Sequence, residues 1–477
     1  MGSLAVFSYS ASLTEALNQN LLDFLVRDDE EEDLVFALYT PSEGKTRLTA
    51  LVHTIIFPGE GDRQRHGNVS FNRQYLERVC QEALSEGYGV VFLHSHPHPG
   101  WQHMSRDDIY AETRMAQTVH AVTGLPLLGM TAGNDGTWSA RIWEPIGNTL
   151  FERRWCESVR VVGKRLTPHF ANSIIPPPAY QKLFKRTATV WGEAAHQDLA
   201  RLRVGIVGLG SVGSLVAESL ARMGMSRLTF IDFDVIEPHN LDRLLGATLH
   251  DIGVKKVEVA QRQARAAATA KVLDVQTYSH SLVEPEGYKA ALDCDVLFCC
   301  VDRPRARSIL NHFAYAHLIP VIDGGIDVRF KAGNFSGVDW QVQTVGVDRP
   351  CLECLERFDP GDVETERAGL LDDTTYLRGL PQLHHFKRNE NVFPFSMNLA
   401  SLEVLQFIAL ATGAAGLADF GVQRYRYIPG ILESDSERTC RGTCPKPLMT
   451  AQGDKFFTLK GRDIAAERSR KRLSKSA

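Results

Sequence analysis

The sequence predicts an α/β protein built from two successive units, and three observations carry that expectation. Short apolar runs alternate with stretches of helical periodicity along most of the chain, the pattern of sheets covered by helices. A glycine-rich turn, Gly208-Leu-Gly210-Ser-Val-Gly213, joins an apolar run (203–207) to a helical stretch (214–223). Two histidines one residue apart, His94 and His96, end another apolar run (88–93). The first pattern sets the fold class. The other two mark where each unit keeps its chemistry.

Bulk properties narrow the class. A length of 477 residues suits two or three domains, each with its own core. Apolar content of 44% and charged content of 23% argue against disorder. A net charge of −4 gives no reason to expect nucleic acid. No run reaches the length of about 18 apolar residues needed for a membrane span, and the first residues lack the pattern of a secretory signal. Nine cysteines, four of them in chelating pairs, fit a reducing cytoplasm better than a disulfide framework.

In the first unit, expected at 1–150, strands are read at 34–38, 48–57, 88–93, 127–131 and 137–143, with a helix at 109–120. His94 and His96 can face one cation, and Asp108 can supply a third ligand. Three such ligands leave a tetrahedral position open, as in a catalytic zinc site. Zinc there would lower the pKa of a bound water towards neutrality. His-x-His-Pro, a loop, then Ser105-x-x-Asp108 resembles the JAMM (MPN/JAB) metallopeptidases. The loop is one residue longer than usual for them. That resemblance implies hydrolysis of isopeptide or peptide bonds after the C-terminus of ubiquitin-like proteins. It implies Ser105 as oxyanion support and a glutamate before the first apolar strand as general base. Glu32 takes that place, with Glu31 the alternative. Val35 and Tyr39 stand where that family often has glycine.

Residues 151–180 read as a connector, stiffened by Ile174-Ile-Pro-Pro-Pro178. The second unit, 181–455, then alternates strand and helix and predicts a mostly parallel sheet covered on both faces. Strand, Gly208-x-Gly210-x-x-Gly213 and helix form a phosphate-binding unit, and Asp232 at the next strand end suits a ribose. Alone this fits NAD, FAD or ATP. The continuation, Asp232-x-Asp234 then Asn240-Leu-Asp-Arg243, Gly253-Val-Lys-Lys256 and Asp302-x-x-x-x-Arg307, resembles the ThiF/MoeB/ubiquitin-activating-enzyme superfamily. Arg186, Gly192, Gln197 and Leu199 fit the segment preceding the nucleotide strand. The resemblance implies a Rossmann-like domain that adenylates a carboxylate with MgATP. Both reactants are anionic, so cations must hold them in line. By resemblance Arg243 and Lys256 contact phosphates, Asn240 positions them, Asp232 takes the ribose and Asp302 handles magnesium or the α-phosphate. Arg186 would be an arginine finger from the partner of a homodimer.

Cys351-x-x-Cys354 and Cys440-x-x-x-Cys444 have the spacing of a closed structural zinc site. The same superfamily often carries one, usually with two residues between the second pair. Cys294, Cys299 and Cys300 read as buried thiols. No cysteine lies between Cys354 and Cys440, where many ubiquitin-activating enzymes place a thioester. The segment there is polar and charged (356–391), followed by an apolar helix at 395–410. The last segment, 456–477, is basic and reads as a frayed tail.

Together these readings give a bifunctional cytoplasmic enzyme, of the kind found fused in bacterial ubiquitin-like operons. One site activates the C-terminal carboxylate of a ubiquitin-like protein with ATP and Mg2+. The other, with Zn2+, trims or releases the same C-terminus, and a second, structural Zn2+ sits on the cysteines. The acceptor would be a conjugating enzyme or a sulfur-transfer protein. Alternatives are a sulfur-carrier-activating enzyme of cofactor or natural-product synthesis, a scaffold with one inactive site, and, more distantly, an NAD-dependent oxidoreductase.

Overall fold

The computed structural model describes the chain except residues 1–6, 28, 30, 67, 148, 180–181, 332–333, 382–389, 414–418, 460 and 477. It divides into two compact units. The first holds Met1–Pro177 with Ala316–Leu318 and Met449–Phe456, and the second holds the remainder.

The first unit comprises β1 (Ser8–Thr14), α1 (Glu15–Leu25), β2 (Leu34–Glu43), β3 (Arg47–Ile56), β4 (Arg63–His66), β5 (Asn68–Phe71), α2 (Arg73–Glu86), β6 (Gly89–Ser95), α3 (Arg106–Thr123), β7 (Leu127–Ala132), β8 (Trp138–Pro145), β9 (Phe151–Trp155), β10 (Ser158–Val162) and β11 (Leu166–Phe170). One mixed sheet runs β11-β10-β1-β3-β2-β6-β7-β8-β9, and β4 and β5 pair as a separate hairpin. The unbroken apolar run of β2 follows from burial on both faces. Val35, Ala37 and Tyr39 enter a core with α1, while Leu34, Phe36 and Leu38 enter a second core with α2 and α3. The Tyr39 ring lies over Gly89, where a Cβ would sit 2.1 Å from a ring carbon.

The expected boundary at 150 and connector at 151–180 need correction. β9, β10 and β11 are strands of the same sheet, and β10 pairs in parallel with β1. Their sequences hide this because Arg153, Arg154, Arg160 and Pro168 interrupt short apolar runs. Arg160 is nevertheless buried and donates to Thr49 Oγ1 at 3.4 Å.

The second unit comprises α4 (Lys185–Trp191), α5 (Glu193–Arg201), β12 (Arg203–Val207), α6 (Ser211–Arg222), β13 (Arg227–Ile231), α7 (Lys256–Ala267), β14 (Asp274–Tyr278), α8 (Pro285–Leu292), β15 (Val296–Cys299), α9 (Pro304–Ala316), β16 (Val321–Lys331), β17 (Asn334–Val345), α10 (Pro360–Arg367), α11 (Thr374–Gly379), α12 (Phe393–Thr412), β18 (Val422–Arg426), β19 (Ile431–Asp435) and α13 (Ile464–Ser476). The sheet order is β14-β13-β12-β15-β16-β17-β18-β19. It is parallel from β14 to β16 and antiparallel from there on. Chain direction across the sheet reverses between β12 and β15, and a crevice opens at such a switch point.

α12 is long and apolar enough to cross a membrane by length and composition, the one such helix among the described residues. It packs against β16, β17 and α6, burying Leu399, Phe407 and Leu410. The tail is the second correction. Residues 464–476 form α13, docked on the second unit rather than frayed, with Ala466 and Ser469 buried on one side.

Beneath the first unit's site lies a fully buried ion pair between Arg141 on β8 and Glu112 on α3. Trp143 Nε1 also donates to Glu112 Oε2, at 2.7 Å. Glu112→Ala would strand the guanidinium without a counter-ion. We expect about 3–5 kcal/mol of lost stability in this unit, read as a lowered tryptophan-fluorescence unfolding midpoint. An unchanged midpoint would show that Arg141 finds compensation elsewhere.

Candidate functional site

The first unit gathers its polar groups at the end of β6. Residues two apart on a strand face the same side, so the backbone presents His94 and His96 together. Their Nε2 atoms are 3.2 Å apart. Asp108 comes from the first turn of α3. The helix starts there because Ser105 caps it reciprocally: Ser105 Oγ accepts from Asp108 N (3.1 Å), and Asp108 Oδ2 accepts from Ser105 N (2.7 Å). That cap places Asp108 Oδ1 3.6 Å from His94 Nε2 and Oδ2 3.5 Å from His96 Nε2. The three donor atoms lie within 4.8 Å of one another, compact enough for one cation. Glu32, just ahead of β2, puts Oε1 3.9 Å from His96 Nε2. Glu31 turns instead towards Arg65, at 3.6 Å. The structure therefore brings Glu32, not Glu31, to the histidines. Ser105 is exposed beside them, its Oγ engaged as the helix cap.

The electrostatics differ among the donors: burial opposes the His96 charge, but Asp108 and Glu32 outweigh it and raise that imidazole. Burial, and then the Arg141 cation, push the His94 imidazole down to about 3, so it stays neutral. Burial opposes ionisation of Asp108, but His96, His94 and the Ser105 amide outweigh it and hold the carboxyl below its usual range. Burial raises the Glu32 carboxyl, with the Asp108 charge adding to that and His96 opposing it. A proton acceptor beside a cation site is suited to such a raised value.

In the second unit the sequence motifs converge on one cavity of about 620 Å3 at the switch point. Gly208 has φ +89°, and a Cβ there would meet the Cys300 carbonyl at 2.5 Å. A Cβ on Gly213 would meet the Gly208 carbonyl at 2.0 Å. At Gly210 the same position is open space, so a ligand's phosphate can approach the backbone. Asp232 is buried and takes the Leu209 amide (2.6 Å) and the Asp234 amide (2.7 Å) on separate oxygens. It holds the glycine turn as well as facing the expected ribose. Asp234 in turn holds Lys256, through Oδ2 to Nζ at 2.8 Å and through its carbonyl to the lysine amide at 2.9 Å. Burial opposes the Lys256 charge, but Asp232, Asp234 and Asp302 together raise its pKa. Arg243 reaches back to the His239 carbonyl (2.8 Å) and Asp242 (3.0 Å), and Asn240 Oδ1 accepts from Glu237 N (2.9 Å). All of these except Leu209, Gly213, Glu237 and Asp242 line the cavity or its rim, and Asp302 is exposed.

Arg186 does not line this cavity; it is exposed on α4. Arg307 donates to the carbonyls of Val301, Gly324 and Arg357, so it fixes the cavity floor. Sequence reasoning missed Asn391, Arg357, Glu403 and Asp463 among the lining residues. Glu403 is buried on α12, and its Oε1 has no hydrogen-bond partner among the described residues. Burial, with the Asp323 charge next, raises its carboxyl well above the usual range. The only signal was an acid inside an apolar helix.

The four cysteines also meet. Cys351, Cys354, Cys440 and Cys444 place their sulfurs within 4.8 Å of one another, and none is in a disulfide. Amides of Cys351, Cys354 and Arg441 donate to sulfur at 3.2, 3.3 and 3.4 Å. Such donors stabilise thiolates, and the donor set fits a structural zinc.

A model of the ThiF family matches residues 184–422, half of the chain. The tRNA threonylcarbamoyladenosine dehydratase of Escherichia coli (strain K12) is 29% identical over 158 residues, covering 32% of this chain and 57% of that protein. Ubiquitin-like modifier-activating enzyme 5 of Drosophila mojavensis is 28% identical over 151 residues, covering 29% of this chain and 38% of that protein. The chain thus spans less than two-thirds of the length of these relatives. Among solved structures, E. coli MccB with MccA-N7isoASN aligns at 18% identity and a TM-score of 0.42, over 56% of this chain and 75% of that one. The family match covers the segment that carries β12–β17 and nearly all of the cavity lining, and on it the chain belongs to the ThiF family.

Proposed function

We propose that the second unit adenylates the C-terminal carboxylate of a ubiquitin-like protein with MgATP, and that the first hydrolyses the bond after that same C-terminus. The convergence of the glycine turn, Asp232, Asn240, Arg243, Lys256 and Asp302 on one cavity carries this reading. Lys256, fixed by Asp234, and Arg243 neutralise the triphosphate and carboxylate as they approach. The carboxylate oxygen attacks the α-phosphorus, the bond to the β-phosphate oxygen breaks, and pyrophosphate leaves. Magnesium held by Asp302 would add charge neutralisation. Arg186, exposed on α4, is available to reach the cavity of a second copy. With no cysteine between Cys354 and Cys440, the adenylate passes to another protein's thiol or to an amine. The curated relatives include a ubiquitin-like modifier-activating enzyme, which supports the substrate class.

The hydrolytic reading rests on the Glu32, His94, His96 and Asp108 cluster. A zinc ion held by the two histidines and Asp108 would supply Lewis-acid polarisation. Glu32 takes a proton from the attacking water and returns it to the leaving amine. Ser105 would support the developing oxyanion through its hydroxyl. Cys351, Cys354, Cys440 and Cys444 would hold a second zinc that ties distant loops.

Lys256→Ala and Asp302→Ala should each lower ATP–pyrophosphate exchange with a ubiquitin-like partner by about 10²–10³-fold; unchanged exchange would move the chemistry elsewhere. Mixing Arg186→Ala with Asp302→Ala should restore exchange that neither supports alone, and no recovery would remove the shared dimer site. Removing metal with a chelator should abolish ATP-independent trimming of a C-terminally extended partner, seen by intact-mass spectrometry. His94→Ala should lose a single zinc equivalent by elemental analysis with adenylation intact. Trimming that survives both would sink the zinc mechanism.

A further inference from the structure

Strand order locates the parts of a nucleotide within the cavity. The glycine turn leaves β12, so phosphates belong over β12, where the α6 amides converge. Asp232 ends β13, the place of the ribose. β14 is the next strand outward, so the base falls over its end, where His280, Ser281, Leu282 and Val283 line the cavity.

That end is walled by a segment from far along the chain. Asp463 and Ala465, at the start of α13, line the same cavity. Asp463 caps α13 by accepting from Ala466 N at 3.0 Å, and its other oxygen accepts the Ser281 hydroxyl proton at 2.5 Å. Ser469 donates to the Phe233 carbonyl at 2.8 Å, next to Asp232. Arg470 pairs with Glu284, one residue beyond Val283, through Nη1 and Oε2 at 2.9 Å. Arg468 donates to the Asp372 carbonyl at 2.7 Å, and Arg305 donates to the Arg462 carbonyl at 2.9 Å. Three of these anchors, at Ser281, Phe233 and Glu284, therefore grip the segments that follow β13 and β14, the strands that receive ribose and base.

We propose that α13 and its lead-in Arg462–Asp463 form the outer wall of the base-and-ribose end of the nucleotide site, so that ATP occupancy and docking of the C-terminal helix are thermodynamically linked. This rests on the reading of the cavity as an ATP site. The helix is held mainly by polar contacts, and elements held that way open at low free energy. A ligand beneath it that touches the closed form closes it further. Linkage is reciprocal: the factor by which ATP favours docking is the factor by which docking tightens ATP. Such factors run from about 5 to 150.

The test is hydrogen exchange on the full-length protein with and without MgATP, beside ATP affinity of the double variant Asp463→Ala with Ser469→Ala. Amides of residues 464–471 should exchange about tenfold more slowly with ATP, and the variant's Kd for ATP should rise about tenfold. If ATP protects residues 208–213 but leaves 464–471 unchanged, and the variant binds like the parent, the wall is refuted while the nucleotide site stands. Faster exchange of 464–471 with ATP would also overturn the proposal, because the helix would then be a competitor for the cavity. No protection anywhere at millimolar ATP would overturn both readings. The unmodified chain carries the exchange measurement, so a poorly folded variant does not decide the matter.

Discussion

The second unit's chemistry hangs on one buried carboxylate. Asp232 takes the Leu209 amide on one oxygen and the Asp234 amide on the other. The first bond fixes the glycine turn, and the second fixes Asp234, which in turn holds Lys256. An unpaired charge at that depth would be strongly disfavoured. The nearby lysine and the two amides offset that cost in part, while burial and the Asp234 charge still hold the carboxyl above its usual range, and the same groups are those a triphosphate needs. Folding and ligand geometry are therefore set by the same bonds. A side chain that merely touched a sugar would leave the turn and the lysine to be placed by other means.

The first unit uses the same logic with different residues. A strand end presents two histidines, and a helix start presents the acid. His94 stays neutral because it is buried and lies near the Arg141 cation. Arg141 tolerates burial only because Glu112 shares its pocket, and Thr131 bridges the two layers, accepting from Arg141 and lying 3.4 Å from His94. In both units a short recognisable motif stands on a charge network drawn from distant strands. The motif alone reports the outer half of each site.

This explains what could be read from the chain beforehand. His94 and His96 were legible because strand periodicity puts them on one face, and Gly208, Gly213 and Asp232 because contiguous residues build the turn. The fold class followed from the same alternation. Glu31 and Glu32 could not be separated, since the acidic run 30–33 has no periodicity until β2 begins and Arg65 claims one of them. β9–β11 were hidden by arginines and a proline within short apolar runs, and of these arginines the sheet buries Arg160. Glu403 and α13 were hidden because their meaning depends on what lies opposite. An acid in an apolar helix and a basic last segment give no hint that both border one cavity.

Asp108 has two employers, the cap of α3 and the histidine cluster. A carboxylate on a free loop would sample several rotamers and would lose that freedom whenever it closed on a ligand. Here the Ser105 amide restricts it as soon as the helix forms. The entropy of ordering this side chain is thus settled during folding. What remains for any guest of the cluster is a preformed set of donor atoms, and its affinity reports chemistry rather than reorganisation.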